Sequence, residues 1–285
     1  MFDAHIHYYY GKNDTPAEFL RKAHASGITG GNIFSTFPSK MLGCADGDYR
    51  WQARLETILE YTAELPGFNP FFWINPMDAD FEEQISSAVE LGIAGFKIIC
   101  MSYYPEDCLP ACRVIAETGK PLMFHSGVLG CGRDMLSAKY NLPHQFECLL
   151  SVPKLRFSMA HLGWPWVDDY MAMVAKSRFS YDPDFGNEMF FDLTPGTPGM
   201  YREEALRKLY LSGYRIKNLV LWGTDGDTSD YRRELPEYWL ERDKAYMAKI
   251  AQDAELCRLP YVEAPDLSDI LHLATEENWK RFLKR

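Results

Sequence analysis

The sequence predicts an α/β chain folded as a (β/α)8 barrel, the TIM barrel, with extra C-terminal helices. Three observations predict it. Eight near-continuously apolar runs recur along the 285 residues, as parallel strands covered on both faces tend to be. Segments of helical periodicity separate the runs, and alternating strand and helix implies parallel pairing. Chemically useful side chains gather at the carboxyl ends of the runs, where barrels of this kind build their active sites.

The first strand is FDAHIH, from Phe2. Thr15, Pro16 and Glu18 then combine a capping box with proline at the first helical position, and Gly27 stops that helix. The next three strands are ITGGNIF from Ile28, NPFFWIN from Asn69 and IAGFKII from Ile93, with helices expected over 49–65 and 80–91 between them. After a helix over 105–118 come PLMFHSG from Pro121 and LRFSMAH from Leu155. Helices over 165–176 and 201–212 flank MFFDLT from Met189, and NLVLWGTD from Asn218 completes the eight. A helical tail over 236–257 and 267–283 exceeds what one closing helix requires, so part of it is free to cover the barrel bottom or to join subunits of a homo-oligomer. No linker or repeat divides the chain, and residues 1–285 are expected to form a single domain.

Composition narrows the function. Thirty Lys and Arg against 40 Asp and Glu give a net charge of -10, which repels phosphate backbones and anionic membranes. Nucleic acid and membrane are therefore not expected partners; a small molecule is. No apolar run is long enough to span a bilayer, and with the first strand starting at Phe2 no leader is expected. The seven cysteines are scattered and odd in number, so a reducing cytoplasm is expected. Cys108 and Cys112 have no second pair at zinc-finger spacing and are expected to be buried thiols.

His5 and His7, two apart on a strand, point to one face and can grip one metal ion. His125, His161 and Asp225 each end a later apolar run, and neutral imidazole with carboxylate is a good donor set for zinc or a neighbouring divalent ion such as manganese. His5, His7, His125 and Asp225 supply the ligand set, and Asp225 is placed to accept a proton from metal-activated water. His161 is open to three roles: a hydrogen bond to the substrate oxygen, a proton shuttle, or a ligand of a second ion. Lys97 stands alone as a cation in an apolar strand. It is read either as a carbamylated bridge to a second metal or as an ammonium contacting a carboxylate, against a plain reading in which it snorkels to the barrel mouth. Arg133, in the loop of Gly127, Gly130 and Gly132, is a candidate clamp for a substrate carboxylate. Trp164, with Trp166, Tyr8, Tyr9, Tyr10, Tyr103 and Tyr104, gathers aromatic surface near the mouth and suggests an apolar or aromatic substrate. Asp3 is assigned support rather than ligation, and Asp227 loop scaffolding. His24, His144 and His272 are given no role.

The motifs DAHIH, GFKII, MFHSG, MAHLGWP and WGTD, in that order, together with Glu277-Asn278 in the last helix, resemble the amidohydrolase superfamily. The likeness is to its amidohydrolase-2 branch of metal-dependent hydrolases and decarboxylases. The resemblance implies one zinc-like ion on His5, His7, His125 and Asp225, with His161 catalytic or polarising. Related decarboxylases often carry glutamate in place of the first histidine, which here is His5, and the stretch 101–104 lacks the His-Pro that often follows the fourth strand. The first departure favours hydrolysis of a small amide, lactone or ester as the expected activity; the second leaves the substrate open. The alternative is a nonoxidative decarboxylase acting on a small carboxylic acid, aromatic acids included.

Overall fold

The computed structural model describes residues 1–11, 13–39, 46–129, 137–258 and 264–284. Its strands are β1 (Phe2–His7), β2 (Gly30–Phe34), β3 (Phe68–Trp73), β4 (Gly95–Ile98), β5 (Leu122–Phe124), β6 (Arg156–Met159), β7 (Glu188–Asp192), β8 (Val220–Leu221) and β9 (Gly226–Asp227). They lie in one sheet in the order β8-β7-β6-β5-β4-β3-β2-β1-β9. Every neighbouring pair is parallel. The sequence runs seen as strands one to seven are all present, and β1 coincides with FDAHIH residue for residue.

The eighth run is the correction. It was expected as one strand, but it is two short ones that pair at opposite edges of the sheet, β8 with β7 and β9 with β1. Asp225 lies between them with φ +57, a left-handed backbone that cannot continue an extended strand. The segment still closes the curl, because Ala4 N–H donates to Trp222 O at 3.0 Å and Thr228 N–H to His7 O at 2.8 Å. The fold is a TIM-type barrel whose last strand is broken where Asp225 sits.

Helices α1 (Pro16–Ala25), α2 (Trp51–Ala63), α3 (Phe81–Glu90), α4 (Leu109–Thr118), α5 (Val167–Phe179) and α6 (Gly199–Leu211) connect the strands. Thr15 caps α1 by accepting from Glu18 N–H at 3.3 Å, with Pro16 as its first residue. Phe34, Phe71, Phe72, Phe96 and Phe124 are fully buried, each stabilising the fold by about 1.5–3 kcal/mol relative to exposure.

Two further helical stretches follow: α7 (Glu234–Asp253), and a last helix of α8 (Ile270–His272), a π turn over Leu273–Glu277 and α9 (Asn278–Leu283). In the last, Trp279 stacks on Phe2 at 4.2 Å and Phe282 meets Phe190 at 5.0 Å. Since Phe2 begins β1, this helix covers the amino end of the barrel and leaves the carboxyl end for chemistry. α7 is tied to α6 by a buried ion pair, Arg202 Nε and Nη2 donating to the two oxygens of Asp243 at 2.7 Å each. Trp222 Nε1 also donates to Asp243, at 3.2 Å, so the brace reaches the eighth strand. No described helix is long and apolar enough to cross a membrane. Cys100, Cys108, Cys112, Cys148 and Cys257 are free thiols, the first three buried.

Candidate metal centre

Strand ends position the side chains. β1 carries His5 and His7, His125 follows β5 directly, and His161 lies two residues past β6 in a tight turn with φ +63. Asp225 occupies the break in the eighth strand, with 34% of its side chain exposed. Left-handed backbone at a non-glycine residue carries strain that the surroundings must hold, and such strain concentrates at functional sites. Here it falls on both residues expected to do chemistry.

The ligand atoms of His5, His161 and Asp225 all lie within 4.8 Å of one another. His5 Nε2 is 3.4 Å from Asp225 Oδ1, and His7 Nε2 is 3.3 Å from the same oxygen. The His125 ring centroid is 4.8 Å from that of His161. All four expected ligands therefore meet around Asp225 or His161, but the tightest group includes His161 in place of His7 and His125. His125 Nε2 is buried with no hydrogen-bond partner among the described residues. A lone imidazole nitrogen so placed, among nitrogen and oxygen donors, fits a borderline divalent ion.

Protonation favours ligation too. Burial pushes His5 and His125 well below the ordinary imidazole range, assisted by the charges of Lys97 and His161. Burial also lowers His161, although Asp225 pulls the other way. For Asp225 burial acts upward, but His161, His7 and Lys97 outweigh it and hold the carboxyl at about 2. At neutral pH His5, His125 and His161 are thus neutral imidazoles beside an ionised carboxylate, the forms in which these groups bind metal.

Lys97 does not snorkel to the mouth: it is fully buried. Its Nζ is 3.4 Å from His5 Nε2 and 4.8 Å from the centre of the Phe34 ring. Burial depresses it to about 8 against the upward pull of Asp192 and Asp225. Trp164 is tied by its backbone, accepting from Val128 N–H at 2.8 Å, and its ring lies 6.2 Å from Tyr201. Arg133 lies outside the described residues. Asp3 accepts from Thr224 N–H, Thr224 Oγ1, Tyr231 Oη and His5 N–H, which anchors the eighth strand to β1. Asp227 accepts from Ser229 and Asp230 N–H within its own loop.

Residues not singled out in the sequence complete the site. Asp192, the last residue of β7, places Oδ2 3.0 Å from His5 Nδ1. The strand-end rule would have found it, since MFFDLT is the one run after the third from which no polar residue was taken. Phe34 meets His5 edge-on at 4.7 Å, and Trp73 lies 6.0 Å from His7, on which Tyr9, one of the aromatics expected at the mouth, stacks at 5.8 Å. Gly196 backs His161: a Cβ there would come 2.7 Å from the ring.

A family described as Amidohydrolase matches residues 3–256 of the chain. The comparison with curated proteins gives no significant match. Among solved structures, the chain is similar to a probable 2-pyrone-4,6-dicarboxylic acid hydrolase from Acinetobacter baumannii with citric acid bound. That likeness has a TM-score of 0.59 at 12% identity, covering 100% of this chain and 99% of the other. A protein from Lactobacillus casei provisionally described as a metal-dependent hydrolase gives 0.55 at 12% identity, over 99% and 95%. The N-acetylneuraminate lyase of Proteus mirabilis gives 0.51 at 13% identity, over 89% and 79%. At such identities these likenesses speak for the barrel alone.

Proposed function

The chain belongs to the amidohydrolase family, and we propose that it is a metal-dependent hydrolase of a small amide, lactone or ester. The observation that carries this reading is the convergence of His5, His161 and Asp225 within 4.8 Å, with His7 and His125 beside them. His5, His7, His125 and Asp225 hold one divalent ion, zinc before manganese by donor type. A second ion on a carbamylated Lys97 is the weaker alternative. Bound there, the ion supplies an activated water and a polarised carbonyl.

The chain's own residues do the rest. Asp225, ionised at neutral pH and partly exposed at the barrel mouth, accepts the proton of the attacking water. His161, buried and neutral, hydrogen-bonds the substrate oxygen or returns a proton to the leaving group. Tyr9, Trp73 and Trp164 flank the mouth as apolar surface for the substrate, and Arg133 is a candidate partner for its carboxylate. The free thiols fit a cytoplasmic location.

Elemental analysis of purified protein, followed by one assay panel, tests the reading. About one equivalent of metal is expected, with turnover on a series of amides, esters and lactones that includes 2-pyrone-4,6-dicarboxylate. Carbon dioxide release from aromatic acids without hydrolysis would replace the hydrolase by the decarboxylase. Absence of stoichiometric metal would overturn both.

A further inference from the structure

We infer that Asp192 is a positioning residue that fixes the tautomer of His5, holding the proton on Nδ1 so that Nε2 presents its lone pair to the site. Asp192 and His5 are both fully buried, and Oδ2 of the one is 3.0 Å from Nδ1 of the other across 187 residues of sequence. The other carboxylate oxygen is already engaged. Asp192 Oδ1 accepts from Thr194 N–H at 2.7 Å and from the Thr194 hydroxyl, which among the described residues leaves Oδ2 for the imidazole. An ionised carboxylate can only accept, so Nδ1 must be the nitrogen that carries hydrogen.

The opposite edge of the ring leaves the decision to Asp192. His5 Nε2 lies 3.4 Å from the Lys97 ammonium, which can only donate, and 3.4 Å from Asp225 Oδ1, which can only accept. The shorter contact is the one at Nδ1, so a neutral ring keeps its hydrogen there and Nε2 is left to accept from Lys97. The same stretch of chain treats a second imidazole alike: His161 Nδ1 lies 3.3 Å from Thr194 O, a carbonyl that also only accepts. The exit of β7 thus orients two site histidines, one by a side chain and one by a main-chain oxygen. A hydrogen bond from the far nitrogen to a carboxylate is a device that raises ligand basicity and fixes ring orientation.

This inference rests on the proposed metal centre for its consequence but not for its test. Asp192→Asn keeps the size of the side chain and has a single acceptor oxygen. Thr194 presents two donors to that oxygen, so the amide NH2 is turned toward His5 and the ring proton moves to Nε2. The decisive measurement is long-range 1H–15N NMR of metal-free, 15N-histidine-labelled protein at neutral pH, with His5 assigned from His5→Asn. Wild type is expected to show His5 protonated on Nδ1, and Asp192→Asn to show it on Nε2, with an unchanged circular dichroism spectrum. Zinc affinity by equilibrium dialysis should fall about 10–100-fold in the variant.

Wild-type His5 protonated on Nε2 would overturn the inference whether or not the variant folds, as would an unaltered tautomer in a folded Asp192→Asn. A wild-type protein that binds no zinc would overturn the metal centre alone, because the tautomer is read without metal.

Discussion

His7 Nε2 lies 3.3 Å from Asp225 Oδ1, and the same oxygen lies 3.4 Å from His5 Nε2. One carboxylate oxygen is therefore shared between both imidazoles of β1, while the backbone that carries it turns left-handed at φ +57. The barrel gives up strand continuity at this point and gains a carboxylate between its first and last strands.

Asp225→Asn tests that carboxylate with little disturbance of the turn, because asparagine tolerates the left-handed region as aspartate does. Loss of a general base costs about 10²–10⁴-fold in kcat. The expected result is a fall of that size with the melting temperature preserved. Full activity in the variant would remove Asp225 from the chemistry.

Gly196→Ala tests how tightly His161 is held. The added Cβ would stand 2.7 Å from the ring's Cγ and 2.9 Å from Nδ1, closer than side-chain atoms approach, so the ring must shift. Misplacing a reacting group by 1 Å can cost about 10²-fold in rate, and kcat should fall at least tenfold. A double-mutant cycle checks the route: in a His161→Ala background the same substitution should change kcat little. An equal loss in both backgrounds would mean that Gly196 acts elsewhere.

Much of this arrangement was legible in the sequence, and the exceptions share a cause. FDAHIH matches β1 because a strand buried on both faces leaves a continuous apolar signature around its two histidines. Thr15-Pro16 located α1 because capping chemistry is local. NLVLWGTD misled because nothing in its composition announces that Asp225 turns left-handed; the turn is held by contacts with residues more than 200 positions away, such as Thr224 Oγ1 donating to Asp3. Asp192, by contrast, stands at the end of β7 where the strand-end rule applies; what the sequence hides is only its partner, His5, 187 residues away. Lys97 was recognised as odd, but only the closed barrel explains why it stays inside, between Phe34, His5 and the charges of Asp192 and Asp225.

Arg202 and Asp243 form the most enclosed ion pair of the helical layer, with side chains 1% and 0% exposed. Removing one partner strands the other charge in the interior at a cost of about 3–5 kcal/mol. Asp243→Ala should lose that much in urea unfolding. The double variant Arg202→Met/Asp243→Leu should lose less than Asp243→Ala alone, since it leaves neither charge unpaired. Additive losses would show that the two side chains are not coupled.

Asp3 provides a pH test of the anchor between β1 and the eighth strand. Burial raises its carboxyl to about 6, although bonds from Thr224, Tyr231 and His5 oppose the rise. A raised acid binds its proton more tightly in the folded state than in the unfolded one. Its stabilising contribution is therefore complete below the unfolded value near 4 and is lost as the pH climbs through about 6. The shift corresponds to about 3 kcal/mol. In urea unfolding from pH 4 to pH 8, the stability of wild type relative to Asp3→Asn should decline by roughly that amount, most of it between pH 4 and 6. The comparison with the variant cancels the other titrating groups, so the sign of the difference isolates Asp3. A difference that stays flat, or grows as the pH rises, would mean that the hydrogen bonds from Thr224 and Tyr231 compensate fully for burial and that the carboxylate is accommodated as an anion.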